Sequence, residues 1–374
     1  MRTVMYYCEW AVYARAYPVS SLPVDKLTHV NYAFAKVDPA TGRVDVADRY
    51  AAMGWDEGNG EKLHGSMAEI FQLKNRARHV KVLLSVGGAT ETATSAFAAV
   101  ASSPVRQQAF VQSCMTLLTN LPFDGLDLDW EFPTTAAEGA AYARLLAALR
   151  SAMGSVGLAF GYLLTVAAPC GRDNYSHLPL AEMDRSLDYW NLMAYDFSGA
   201  WTATADHQAN IYGGRFSADA AVKAYLAAGI APDKLVLGMP LYGRSFKGTD
   251  GPCCAFSGVG DGSWEAGVYD YKQLPPPGAT EYVDRQHICT WSYDPSLRVL
   301  VSYDSPESAV LKADYIRARG LGGAMFWEAS ADHPPSHPRS LVAAVHARLQ
   351  PAGLDRSLNC VCYPRSRYFN IHGV

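Results

Sequence analysis

Charge is scarce in this sequence: Asp, Glu, Lys and Arg make up 18% of its 374 residues, against about 25% in typical soluble chains. Neither sign dominates. With 32 basic and 36 acidic residues the net charge is −4, so there is no basic surplus to neutralise phosphates and no nucleic-acid partner is expected. Long apolar runs are also missing; none approaches the roughly 18 residues needed to cross a bilayer, so no membrane partner is expected either. Cysteines number only eight, too few and too irregular for a disulfide scaffold at this length. The close pairs, Cys253-Cys254 and Cys360-Val361-Cys362, lack the two-plus-two layout of a zinc site, and no metal or other cofactor is expected. The first residues, Met1 to Tyr7, read as a buried strand with no apolar leader and no small-residue cleavage site, so the chain as written carries no secretion signal. One glycosylation-type triplet, Asn174-Tyr175-Ser176, is present.

What the sequence does have is apolar matter and punctuation: 49% hydrophobic residues, 31 Gly and 21 Pro. That excludes a disordered chain and a coiled coil. At about 150 residues per domain the length predicts roughly 2.5 domains, or one barrel of about 250 residues with additions. Short runs rich in β-branched and aromatic residues recur and predict strands near Thr3–Tyr7, His29–Ala35, Val80–Val86, Gly125–Trp130, Ala159–Ala167, Tyr189–Tyr195, Leu235–Pro240 and Gly322–Trp327. Between them, three- and four-residue apolar spacing predicts helices such as Met67–Ala77, Pro104–Thr119, Ala136–Met153, Ser217–Ala228 and Pro306–Arg319.

Eight such βα units with near-continuously apolar strands give the fold class α/β, a TIM (β/α)8 barrel. The rhythm breaks from about Lys247 to Pro295, where glycines, Pro275-Pro276-Pro277 and strand-like pieces replace helix. The density of Trp264, Tyr269, Tyr271, Tyr282, Trp291 and Tyr293 argues for an ordered insertion there. The expected layout is barrel strands 1–7 over residues 1–246 and a small α+β insertion over 247–295. Barrel completion follows over 296–350, then a tail packed on the barrel over 351–374.

The most informative segment is Asp124-Gly125-Leu126-Asp127-Leu128-Asp129-Trp130-Glu131. Strand alternation puts Asp127, Asp129 and Glu131 on one face, with Leu126, Leu128 and Trp130 on the other. Three neighbouring carboxylates in a barrel interior cannot all stay ionised, so at least one pKa must rise. Glu131 comes last, where the strand leaves the C-terminal face on which such barrels carry their active sites. A carboxyl kept protonated there can protonate a leaving oxygen. The residue types alone leave two other readings open: a row that merely satisfies itself, and an oxygen site for Mg²⁺ or Ca²⁺. Asp124, of opposite parity, reads as structural.

This segment resembles the DxxDxDxE signature of glycoside hydrolase family 18, the chitinase family. Ser85-Val86-Gly87-Gly88, Met193-Ala194-Tyr195-Asp196, Met239-Pro240-Leu241-Tyr242-Gly243-Arg244 and Gly322 to Glu328 resemble four more of its strand-end motifs, in order. Further details, including Val268 to Tyr271, Ser302-Tyr303-Asp304 and Tyr363 to Tyr368, are most similar to filamentous-fungal members.

The resemblance implies a chitinase that cuts β-1,4 bonds between N-acetylglucosamine units with retention, the substrate's own N-acetyl oxygen acting as nucleophile. In that scheme Glu131 is the acid and later the base, Asp129 holds the acetamido N–H, Asp127 shares a proton with Asp129, and Tyr195 donates to the acetamido carbonyl. Trp327 forms the floor under the sugar. Met193, Asp196, Tyr242 and Arg244 contact the substrate, Tyr7 lines the pocket, and Gly88 and Trp130 complete the expected binding set. The implied partners are chitin and chitooligosaccharides, acted on by a monomer. The family default is extracellular, in contrast to the absent leader.

In the family an insertion between the seventh and eighth strands raises one wall of the groove and favours polymer over N-glycan substrates. One departure stands out: after Gly88 the chain reads Ala89-Thr90-Glu91-Thr92-Ala93 in place of sugar-stacking tryptophans. Weaker binding on that side is expected, offset in part by Trp201. The competing reading is a lectin-like protein that holds chitin oligomers without cutting them. A nucleotide site at Gly258-Val259-Gly260-Asp261-Gly262 fails, because Ser263 takes the third glycine position.

Overall fold

A computed structural model describes residues 1–54, 60–155 and 161–373. The strands are β1 (Arg2–Cys8), β2 (His29–Val37), β3 (Val44–Val46), β4 (Lys81–Gly87), β5 (Gly125–Asp129), β6 (Leu163–Pro169), β7 (Tyr189–Met193), β8 (Leu235–Pro240), β9 (Tyr242–Lys247), β10 (Val268–Asp270), β11 (Thr280–Asp284), β12 (Cys289–Asp294), β13 (Val299–Tyr303) and β14 (Gly323–Trp327). One sheet runs β1-β14-β8-β7-β6-β5-β4-β2-β3, with β1 also paired to β2, so eight of its strands close into the predicted barrel and β3 hangs on as an antiparallel edge. The second sheet, β10-β9-β13-β12-β11, is antiparallel and lies between the seventh and eighth barrel strands in the chain.

Seven of the eight predicted barrel strands appear within two residues at each end. The exception, Ala159–Ala167, is realised as Leu163–Pro169, with residues 159 and 160 outside those described. Tyr189–Tyr195 ends early at Met193, because Asp196 adopts φ 60° and turns the chain. The insertion is wider than expected: β9 and β13, adjacent inner strands of its sheet, carry it to Tyr242 on one side and Tyr303 on the other. Among the described residues of that segment one 3-10 turn, Tyr271–Gln273, is the sole helical element.

The helices form where the apolar spacing placed them, and their ends follow local chemistry. Ser103 caps Pro104–Asn120 by accepting the Arg106 N–H, with Pro104 at the first position. Ser305 and Ser308 form a reciprocal box at the start of Pro306–Arg319, which stops at Gly320 with φ 65°. All eight cysteines are free thiols. No described helix is long and apolar enough to cross a membrane.

The described chain falls into two compact units, each taken by itself below. The first holds Val4–Ala168, Asp173–Trp190 and Asp355–Val374; the second holds Met1–Thr3, Pro169–Arg172 and Asn191–Leu354. The tail belongs to the first unit. Asn359 donates to the carbonyls of Lys74, Ala77 and Val80 and is gripped by Arg78, which fixes the tail against the helix Gly65–Arg76 and the turn leading into β4.

Candidate active site

In the first unit the acidic row stands on β5. The parallel register sets Ser85 of β4 beside Asp127 and Asp127 beside Thr165 of β6. Matched positions of a parallel pair face the same way, so both hydroxyls reach the carboxylate from its flanks. Thr165 Oγ1 donates to Asp127 Oδ1 at 2.6 Å, and Ser85 Oγ and Tyr6 Oη donate to Oδ2 at 2.8 and 2.7 Å. Asp127, wholly buried, therefore faces three neutral donors, an arrangement that suits a carboxylate.

Asp129 differs. It is 3% exposed, and its Oδ1 has no hydrogen-bond partner among the described residues. Burial, followed by the charges of Glu131 and Asp127, pushes its carboxyl well above the usual range. The expectation that a pKa in the row rises is met at Asp129. Glu131 lies two residues past the end of β5 and is half-buried, so the row runs from sealed to accessible along its length. Thr94 Oγ1 donates to the Glu131 carbonyl at 2.5 Å, tying the acid's backbone to the helix Glu91–Ala101.

The glycines of Ser85-Val86-Gly87-Gly88 are required by close approach. A Cβ on Gly87 would stand 2.1 Å from the Asp129 carbonyl, and one on Gly88 2.7 Å from the Phe34 ring. Both have φ above 100°, and the Gly88 N–H donates to the Asp129 carbonyl at 2.9 Å. Gly87 thus lets β4 and β5 close together at their exits, while Gly88 makes room for the Phe34 ring of β2 and ties its own N–H to β5. The segment Ala89 to Ala93 begins the helix Glu91–Ala101, capped by Thr90. Ala89, Thr90 and Glu91 line a cavity of about 490 Å³ with Trp130 and Glu131.

Two expected binding residues of this unit take packing roles. Trp130 is 2% exposed; its indole lies parallel to Phe97 at 5.5 Å and edge-on to Tyr142 at 5.4 Å. The alternation that points Asp129 and Glu131 inward points Trp130 at the surrounding helices. Tyr7 is 1% exposed, stacks on Tyr32 and donates to the Tyr17 carbonyl. Its neighbour Tyr6, on the opposite face of β1, is the one that reaches Asp127. Trp10 was not anticipated. It sits just past β1, 44% exposed, tilted against Phe34, the ring that abuts Gly88.

In the second unit the site residues cluster around Asp196. Arg244 Nε donates to Asp196 Oδ1 at 2.6 Å and its terminal nitrogen to Oδ2 at 2.8 Å, a two-pronged pair. The Tyr242 hydroxyl adds a third bond to Oδ1 at 2.6 Å. Burial and then the Asp196 charge push the Tyr242 pKa well up, so the hydroxyl stays a donor. Burial alone lowers the Arg244 pKa, but the Asp196 contact more than offsets it and the net shift is upward. The guanidinium lies 4.7 Å from the centre of the Trp201 ring, itself 60% exposed. Tyr195 sets its ring edge-on to Tyr242 at 6.1 Å and its hydroxyl 3.8 Å from Met325 Sδ. Met193 and Trp327, half-buried, end β7 and β14, and the Trp327 carbonyl accepts from the Leu241 N–H at 2.7 Å.

Comparison with known proteins places the chain in a family. The profile of glycosyl hydrolases family 18 matches residues 2–332. Chitinase 1 of Aphanocladium album is 39% identical over 98% of this chain and 89% of its own length. Endochitinase 1 of Metarhizium robertsii is 38% identical with the same coverage. Among solved structures, the catalytic domain of psychrophilic chitinase B from Arthrobacter TAD20 superposes with a TM-score of 0.87 at 29% identity, covering 96% of this chain and 98% of that one. A mutant plant class V chitinase from Cycas revoluta in complex with (GlcNAc)3 gives 0.79 at 27% identity, covering 93% of this chain and 99% of its own. With motifs, fold and full-length similarity in agreement, the chain belongs to the glycosyl hydrolases of family 18.

Proposed function

We propose that the protein is an endo-acting chitinase that hydrolyses β-1,4 bonds between N-acetylglucosamine units with retention of configuration. The observation that carries the reading is the graded acidic row: a buried carboxylate held by three hydroxyls, a carboxyl whose pKa burial and its acidic neighbours push up, with one oxygen unpartnered among the described residues, and a more accessible glutamate just past the strand. Glu131 protonates the glycosidic oxygen and then takes a proton from water. Asp129 presents Oδ1 to the acetamido N–H; its proton passes toward Asp127 as the oxazolinium charge develops, so the negative charge appears only when the transition state calls for it. Tyr195 orients the acetamido carbonyl, Trp327 supports the sugar face, and Asp196, Tyr242, Arg244 and Met193 complete the contacts. Relatives named endochitinase support an internal cut.

The lectin-like alternative needs a chain without the acid, and Glu131 is present. Digestion of chitin oligomers with anomeric analysis of fresh product tests the proposal: the expected product keeps the β configuration, and an α product would overturn the substrate-assisted route.

A further inference from the structure

The inserted sheet carries an aromatic face that the reaction as described does not use. Its register places Arg244, Ser302, Trp291 and Tyr282 in one row across β9, β13, β12 and β11. Residues opposite one another in antiparallel strands share a face, so the row starts at the Arg244–Trp201 contact and ends at the sheet edge. At 4.7–4.9 Å per strand, Trp291 lies about 10 Å and Tyr282 about 14 Å from Arg244.

Trp291 packs against the buried cluster Ala205, Phe246 and Leu300 on the same face of the sheet. The His207 ring tilts against it at 5.1 Å, and Tyr282 stacks on it at 5.5 Å with 18° between planes. Tyr282 is 44% exposed on β11, the last strand, with no further strand beside it. Neither its hydroxyl nor the Trp291 indole N–H has a hydrogen-bond partner among the described residues. An apolar ring plane fixed by a core contact, with free polar tips at its rim, matches a pyranose ring, which offers a C–H face and equatorial hydroxyls.

We propose that Tyr282 and Trp291 form a sugar-binding platform on the inserted sheet that holds a chitin chain outside the cleavage site, in line with Arg244 and Trp201. The proposal rests on the chitinase reading and deepens it. The platform contributes to retention of the polymer.

The test uses the full chain with Tyr282→Thr, which removes the ring while keeping strand propensity, and Tyr282→Phe, which keeps the ring. Binding to insoluble chitin powder and hydrolysis of a chitin tetramer are measured side by side. Tyr282→Thr is expected to weaken binding to the powder about fivefold or more, the size of one aromatic contact, with tetramer kcat/KM unchanged and Tyr282→Phe close to the parent. If Tyr282→Thr binds powder as the parent does, or if Phe loses as much as Thr, the platform is overturned while the chitinase reading stands. A parent protein that leaves the tetramer uncut overturns the chitinase reading and the platform with it.

Discussion

The two ends of β5 carry acids with opposite surroundings. At the N-terminal end Asp124, 7% exposed, pairs with the fully buried Lys74 at 2.8 Å and accepts the backbone N–H groups of Val82 and Cys360, each at 2.8 Å. The tail adds the Tyr363 hydroxyl, 2.5 Å from Lys74 Nζ. Every formal charge there has a counter-charge or a donor. At the other end Asp129 is buried just as deeply beside two more carboxyl groups, and Oδ1 is left unpartnered. The acid that braces the fold has its partner with it, whereas the one beside Glu131 leaves an oxygen open among the described residues. The cost of that open place is met by protonation, not by a lysine.

Substitutions along the strand should separate the two ends. The largest effect is expected from Glu131→Gln, which keeps the shape and removes the transferable proton: turnover of chitin oligomers should fall on the order of 10³-fold or more, with oligomer binding still measurable by calorimetry. Turnover equal to the parent's would place the acid elsewhere.

Next comes Asp124→Asn. It leaves Lys74 charged and buried without a counter-ion, and a loss of about 3–5 kcal/mol in unfolding free energy is expected from denaturant titration. Activity of the fraction that remains folded should be near normal. Asp129→Asn is the smallest of the three: turnover should drop on the order of 10²-fold, yet stability at neutral pH should hold or rise.

The sign of that last effect follows from linkage. Folding raises the Asp129 pKa, so its contribution is complete below the unfolded value of about 3.9 and is lost as pH climbs through the folded one. Asparagine, which cannot ionise, avoids that loss. The thermal midpoint of the variant should gain on the parent as pH rises from about 4 toward 8; a gap that shrinks over the same range would contradict the protonated assignment.

The motif spacing made the acidic row, the barrel and most of its strands legible, because strand alternation is a local rule and βα repetition shows as periodic apolar runs. Asp124 was also placed correctly as structural from parity alone. Its partner was invisible, since Lys74 lies 50 residues away on a helix. The same applies to Ser85 and Thr165, which meet at Asp127 through the register of β4 and β6 with β5, and to Tyr6, which reaches it from β1, a strand not paired with β5. Choosing Tyr7 over Tyr6 shows the limit: neighbours in a strand face opposite sides, and nothing in the string Met5-Tyr6-Tyr7-Cys8 says which side is inward. Trp130 fails in reverse, where alternation already pointed it outward and only its place in a motif suggested the groove.

By itself, then, the sequence determined the family, the order of strands and the acidic row on β5, because each is written in residue types at short spacing. Tertiary structure decided which acid's pKa is pushed up by burial, which tyrosine reaches Asp127, how far the inserted sheet extends and which aromatics stay exposed. Those properties depend on burial and on contacts between residues far apart in the chain, where free energies are set by what surrounds a group and not by its neighbours in sequence.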